Sequence, residues 1–488
     1  MEAVTASTPR GSDDRLETIL VQARRDRARL DASAMGPFSL TTLGIASVVG
    51  AGIFVTTGAA AAQYAGPAIV VSFVLAGIAA ALTAVCYAEL AAMIPIAGST
   101  YSYAYAAFGA FLGWFIGWDL MLEYLFAAST VAVGWAGYAV SLLESSGIDI
   151  PRSLAAPPFG DDAGVLNVPA ILVVGVATAL LVVGARQSAG VNNAMVLLKM
   201  VILLLVVGVG VAYVAPDNWS PFVPASEGGF GNFGATGVIR GAGVVFFAYI
   251  GFDAVSTAAG EARDPQRTVP IGLLATVGIS TVLYVAVALV LTGLIPYTDL
   301  NVSDPISRAL EAAGPGVDWL DEAVDVAAVV GLFSTVLVTF YGQTRILMRM
   351  SADGMLPGVF NRVDARFRTP AFTTVLCGIV GAIVAGLVPI DVLGQLVSIG
   401  TLLAFLLVCA GVLVLRRTHP GVERPFRVPH VSIVAGLGIV AALALIAMLP
   451  VITWIRLAVW LLIGLTIFFT YARHHTAERF AELGEAEG

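Results

Sequence analysis

Gly44-Ile45-Ala46-Ser47-Val48-Val49-Gly50-Ala51-Gly52-Ile53-Phe54 breaks the first long apolar stretch of the chain with glycine at its centre. Phe246-Phe247-Ala248-Tyr249-Ile250-Gly251-Phe252-Asp253-Ala254-Val255-Ser256 does the same to the sixth. The two lie about two hundred residues apart, and each opens a group of five apolar spans. Matching interruptions in two halves of a membrane protein mark a transporter built from inverted repeats, with its binding site at the breaks. An unwound turn leaves N–H and C=O groups unpaired at membrane depth, which is tolerable only where a cavity or ligand satisfies them. The start of a half-helix offers free amides and a positive dipole end, suited to a carboxylate. Unpaired carbonyls suit an ammonium group. Together they fit the two ends of an α-amino acid. The competing reading is that these glycines only let helices pack closely.

Outward from the breaks, composition sets the class. The chain has 488 residues, of which 58% are hydrophobic and 12% charged, against about 25% charged in soluble domains. An integral membrane protein follows. About twelve apolar stretches reach the length that crosses a bilayer: 38–62, 67–94, 104–140, 167–184, 190–214, 237–259, 270–294, 322–349, 372–388, 392–415, 431–449 and 453–472. The expected organisation is a polar tail over 1–37, a first repeat over 38–214, a second over 237–415, two further helices over 431–472 and a charged tail over 473–488. The segment 350–371 is polar and should hold a short helix.

Arginine concentrates in the N-terminal tail and in the connectors on one side, at Arg186, Arg263, Arg267, Arg362, Arg366, Arg368, Arg416, Arg417, Arg424 and Arg427. By the positive-inside rule, both termini are cytoplasmic and the protein crosses the cell membrane many times. Cys86, Cys377 and Cys409 lie in apolar spans without metal-site spacing and read as packing residues. His419, His430, His474 and His475 fall outside the spans. No cofactor, metal, nucleotide or nucleic acid is expected. The net charge of −8 sits in connectors and identifies no partner.

Lys199 is the sole lysine, placed inside the fifth span between Ala194-Met195-Val196-Leu197-Leu198 and Met200-Val201-Ile202-Leu203. An ionisable group there costs about 2.5–3.5 kcal/mol or more and is a functional-site hypothesis by default. Lysine changes protonation state readily when buried, which arginine does not, so Lys199 is a candidate proton carrier. The alternative is a head group that snorkels to the interface. Asp119 and Glu123 share one face of the third span, four residues apart, and Asp253 follows the second break. Glu123 or Asp253 could hold the distal cation of a substrate or join in proton coupling. Alternatively these acids cap broken helix ends and bond to nearby Tyr or Trp side chains. Glu89 and Glu261 suit a cytoplasmic gate with Arg186, Arg263 or Arg345.

Four blocks in order carry a family resemblance. They are Gly50-Ala51-Gly52-Ile53-Phe54, Tyr87-Ala88-Glu89-Leu90 with Pro95, Gly98, Tyr101 and Tyr103, Tyr249-Ile250-Gly251-Phe252-Asp253 running into Glu261-Ala262-Arg263-Asp264-Pro265, and Arg345 with Ser351-Ala352-Asp353-Gly354-Met355-Leu356-Pro357. Over about residues 36–475 the chain resembles the amino acid/polyamine/organocation transporters, and among them bacterial relatives of the cationic amino acid transporters. It departs at Gly260, where the family often has an acid, and at Gly98-Ser99, where Gly-Gly is usual. The resemblance implies an all-α fold of about twelve helices, a five-plus-five inverted repeat with helices 1 and 6 broken and two helices outside the repeat. It places the substrate carboxylate on the amides of Gly50, Ala51 and Gly52. It places the ammonium at carbonyls near Val48 and Ile250, and Phe247 over the substrate as an aromatic gate. Lys199 would stand where related symporters hold sodium, bridging the first and eighth helices with Ser334 and Thr335 as neighbours.

The expected activity is uptake of an L-amino acid, cationic or small and neutral, with a proton, by alternating access. An exchanger without obligate proton coupling is the alternative. An enzyme is disfavoured, since no HExxH, GxSxG or phosphate loop is present. A channel lacks its pore signature.

Overall fold

The computed structural model describes residues 35–94, 99–159, 164–184, 189–226, 229–257, 262–473 and 475. The architecture among them is helical. We number the main apolar helices α1 (Pro37–Val48), α2 (Ile69–Met93), α3 (Ala110–Ser145), α4 (Val168–Val183), α5 (Ala189–Gly210), α6 (Gly234–Val245), α7 (Pro265–Leu294), α8 (Asp318–Ala352), α9 (Ala371–Leu387), α10 (Ile390–Thr418), α11 (Val431–Met448) and α12 (Val451–Ile467). Several continue into short π or 3₁₀ turns, and α1 resumes beyond its break as Gly52–Thr56. The segment 350–371 holds one 3₁₀ turn, Gly358–Asn361.

Apolar composition makes these segments helical, because in a hydrocarbon medium a helix satisfies its own backbone. What orders them is the placement of small and large residues. α8 packs along α3, α7 along α2, and α10 against α3 and α11. Gly342 on α8 sits against the Tyr124 ring of α3, where a Cβ would come within 2.6 Å. Gly77 on α2 does the same against Thr281 of α7. Such small-against-large contacts bring helix axes close without a hydrophobic driving force between helices.

α12 is fastened to α3 by tryptophan. Trp118 stacks on Trp460 at 4.6 Å and on Trp114 at 5.8 Å. Trp114 Nε1 donates to the Gly464 carbonyl, and Trp118 and Trp460 each donate to the other's carbonyl at 2.8 and 3.1 Å. The outward faces of α5, α11 and α12 are apolar and exposed, as Leu197, Leu204, Leu437 and Leu462 show. These faces suit lipid. The start of α1 is pinned to the segment before α7, where the Arg263 amide donates to the Met35 carbonyl at 3.0 Å.

Candidate functional site

The breaks fall where glycine interrupts the apolar runs. α1 stops at Val48, Val49 turns extended (φ −78°, ψ 90°), and the chain coils again from Gly52. Among the described residues the amides of Gly50 and Ala51 donate no backbone hydrogen bond, while the Gly50 carbonyl accepts from Ile53 and Phe54. α6 tightens into the 3₁₀ turn Phe246–Tyr249, Ile250 is extended (ψ 137°), and Gly251 takes φ 103° before the helix resumes at Ala254. That φ is open to glycine and strained for other residues.

The two breaks lie against each other. A Cβ on Gly52 would come 2.3 Å from the Ala248 Cα, and one on Gly251 would come 2.9 Å from the Ser47 carbonyl oxygen. Close packing therefore explains Gly52 and part of Gly251. It does not explain Gly50, where a Cβ meets only the Thr335 methyl at 3.4 Å. Unengaged amides at Gly50 and Ala51 and a packed contact at Gly52 occur together within one turn.

Lys199 reaches from α5 into the first break. It is 2% exposed, so its head does not snorkel to an interface. Nζ donates to the Ala46 carbonyl at 3.1 Å, to the Val49 carbonyl at 2.7 Å and to Thr335 Oγ1 on α8 at 3.3 Å. Ser334, the neighbour on α8, is buried. The stem of Lys199 crosses α8 at Gly331, where a Cβ would lie 2.6 Å from Lys199 Cγ. An ammonium has three N–H donors and here finds three acceptors on two helices.

Three further candidate residues are placed as follows. The Val48 carbonyl accepts from Tyr284 Oη of α7 at 2.9 Å, which uses one of its two lone pairs. Phe247 lies in the 3₁₀ turn, 6% exposed, one residue before Ala248 and its contact with Gly52. Ile250 follows that turn and is partly exposed. Tyr284 and Gly331 had no distinguishing signal in sequence, since neither belongs to a motif and their roles depend on helix packing.

Three of the buried acids belong to α3 and the second break. Asp119, Glu123 and Asp253 are 0%, 4% and 5% exposed, and Glu123 lies one turn along α3 from Asp119. Capping by nearby Tyr or Trp does not describe Asp119. Among the described residues neither of its oxygens has a partner, and the neighbouring Trp114 and Trp118 indoles donate to carbonyls of α12 instead. At Asp253 the main-chain carbonyl, not the carboxylate, accepts from the amide and hydroxyl of Ser256.

The expected partners of Glu89 need correction. Glu89 is 1% exposed and accepts from Arg416 Nε at 2.8 Å and Nη2 at 2.5 Å. It also accepts from the Val428 amide at 2.7 Å, with Arg424 Nε at 3.4 Å. Arg345 instead lies over the Tyr341 ring at 4.7 Å. Arg186 and Glu261 lie outside the described residues. The resulting network ties α2 to the end of α10 and its connector. Arg424 lies in the connector after α10, outside the apolar helices, and burial lowers its pKa while Glu89 opposes that shift.

Comparison with known proteins agrees with this geometry. The family model described as amino acid permease matches residues 35–472. The methylthioribose transporter of Bacillus subtilis is 44% identical over 461 residues, covering 94% of this chain and 97% of that protein. The branched-chain amino acid permease of the same organism is also 44% identical, over 91% of this chain and 93% of its own length. The vacuolar cationic amino acid transporter 4 of Arabidopsis thaliana is 35% identical over 80% of this chain and 64% of its length. With two glycine-broken helices in contact and a match that runs from the start of α1 to the end of α12, the chain belongs to the amino acid permease family of the amino acid/polyamine/organocation transporter superfamily.

Proposed function

We propose that this chain is a secondary transporter that carries an L-amino acid into the cell together with a proton by alternating access. The observation that carries the reading is the lysine bridge from Nζ of Lys199 to Ala46, Val49 and Thr335. The charged head links the first break to α8. Loss of the proton leaves two donors for three acceptors, and the link between α1 and α8 weakens. That couples protonation to the helix that would hold the substrate.

The remaining site residues take these roles. The amides of Gly50, Ala51 and Gly52 receive the carboxylate, with the positive end of the Gly52–Thr56 turn behind them. Carbonyls at Val48 and Ile250 receive the ammonium, Phe247 closes over the substrate, and Ser334 lines α8 beside Thr335. Glu123 and Asp253 face the side-chain end, where a cationic substrate would find its counter-charge. Residues 38–214 and 237–415 are the two repeats, and both termini are cytoplasmic.

The equal identity to a methylthioribose transporter and to a branched-chain amino acid permease leaves a second substrate class in play. A methylthio sugar has neither carboxylate nor ammonium, so it would leave the backbone groups at both breaks without their ionic partners. The backbone favours the amino acid. The test is uptake into proteoliposomes of radiolabelled arginine, alanine, leucine and methylthioribose, with and without an inward proton gradient. Gradient-driven accumulation of an amino acid supports the reading. Uptake confined to methylthioribose, or uptake that needs internal amino acid and ignores the gradient, overturns it.

A further inference from the structure

Asp119 stands within α3, fully enclosed, and neither Oδ1 nor Oδ2 has a hydrogen-bond partner among the described residues. Opposite it on α10 is Gly400, where a Cβ would come 3.1 Å from Oδ1 and 3.6 Å from Oδ2. The missing side chain leaves the carboxyl its space. The groups that face this region are few. On its own helix stands Glu123, one turn on, whose Oε2 is also unpartnered. From α10 comes Thr401, whose hydroxyl donates to the Val397 carbonyl at 3.0 Å and which also faces Glu123. Beyond the second break stands Asp253, whose charge acts on Glu123. From α8, Gln343 donates to the Met121 carbonyl at 3.1 Å. From α12, Trp460 donates to the Trp118 carbonyl. No Lys, Arg or His pairs with Asp119 among the described residues.

An ionised carboxylate left buried without a partner is strongly disfavoured, and at membrane depth an acid of this kind marks a proton relay or ion path. A sequence that wanted only packing at this contact had smaller and cheaper choices. We propose that Asp119 is a second proton-binding site of the transport cycle, separate from Lys199. It holds its O–H bond in the packed arrangement described here. It releases the proton to water when α3 and α10 part at Gly400, leaving the carboxylate solvated, and takes a proton back before they close. The inference rests on the proton-coupled reading above, which assigns a proton to Lys199 alone.

Infrared difference spectroscopy of the reconstituted protein reads the carboxyl directly. The wild type should show a carboxylic-acid C=O band that Asp119→Asn abolishes and that disappears reversibly when bound substrate is removed and the pH is raised. Transport stoichiometry from reversal potentials should fall by one proton per substrate in Asp119→Asn. A carboxylic-acid band from Asp119 that ignores substrate and pH, or a stoichiometry equal to the wild type, overturns the proposal. Should Asp119→Asn fail to fold, Gly400→Ala keeps the acid and crowds Oδ1. It should shift the Asp119 band, and an unmoved band counts against the site. Wild-type protein without any gradient-driven uptake would remove the symport reading, while the infrared band would still decide whether Asp119 exchanges a proton.

Discussion

At Lys199 three donors meet three acceptors, and Gly331 makes the meeting possible. A Cβ at position 331 would lie 2.6 Å from Lys199 Cγ and 2.8 Å from Cδ. Overpacking of this kind costs about 1–3 kcal/mol, and the flexible lysine stem is the part able to yield. We expect Gly331→Ala to fold, to move Nζ off the Val49 carbonyl and to reduce gradient-driven uptake several-fold, read in proteoliposomes alongside a thermal-melting control. Unchanged uptake would show that the bridge tolerates displacement. Lys199 itself was legible in sequence, because one lysine in an apolar run is conspicuous whatever the fold. Its acceptors were only partly so. Thr335 followed from the resemblance, whereas the Ala46 and Val49 carbonyls depend on where α1 stops. The partners of Glu89 were not legible, since ten arginines fall in connectors and sequence carries no measure of which connector folds back over α2.

The helices repeat this contrast. The breaks in α1 and α6 were readable, because glycine in a membrane helix leaves few alternatives, and Gly251 at φ 103° meets that expectation at its own position. The attachment of α12 was not readable: the Trp114–Trp118–Trp460 stack joins residues over three hundred positions apart, and an isolated tryptophan in a span reads equally as an interface anchor. The junction of α2 with α10 carries its own prediction. Glu89→Gln keeps the shape, removes the charge that Arg416 and Arg424 share, and leaves Arg424 (5% exposed at its side chain) without its carboxylate. We expect a loss of about 2–3 kcal/mol, below the full value for a buried pair because Arg416 keeps a quarter of its side-chain surface exposed. A lower thermal midpoint in detergent would register it. A midpoint equal to the wild type would mean that the network contributes nothing to stability.

Across the whole molecule, the contacts bring the two breaks and α8 together. The two breaks touch, Lys199 ties α1 to α8, and a cavity of only about 20 Å³ lies between the Thr56–Tyr64 stretch and Gln395, close to the size of one water. Tyr64 and Gln395 span it with a hydrogen bond at 3.3 Å. Three buried acids, the ion-pair cluster around Glu89 and the lysine bridge thus sit on different elements of a bundle whose first and sixth helices are interrupted. The claim that joins them is that a proton on Lys199 holds the first break in place and that its loss frees it. The most direct measurement is accumulation of the transported amino acid in proteoliposomes under an inward proton gradient, wild type against Lys199→Ala, with thermal melting to confirm that both are folded. The account predicts gradient-driven accumulation in the wild type and none above equilibration in the folded variant. Equal accumulation by the two proteins would contradict it and leave Lys199 a structural residue.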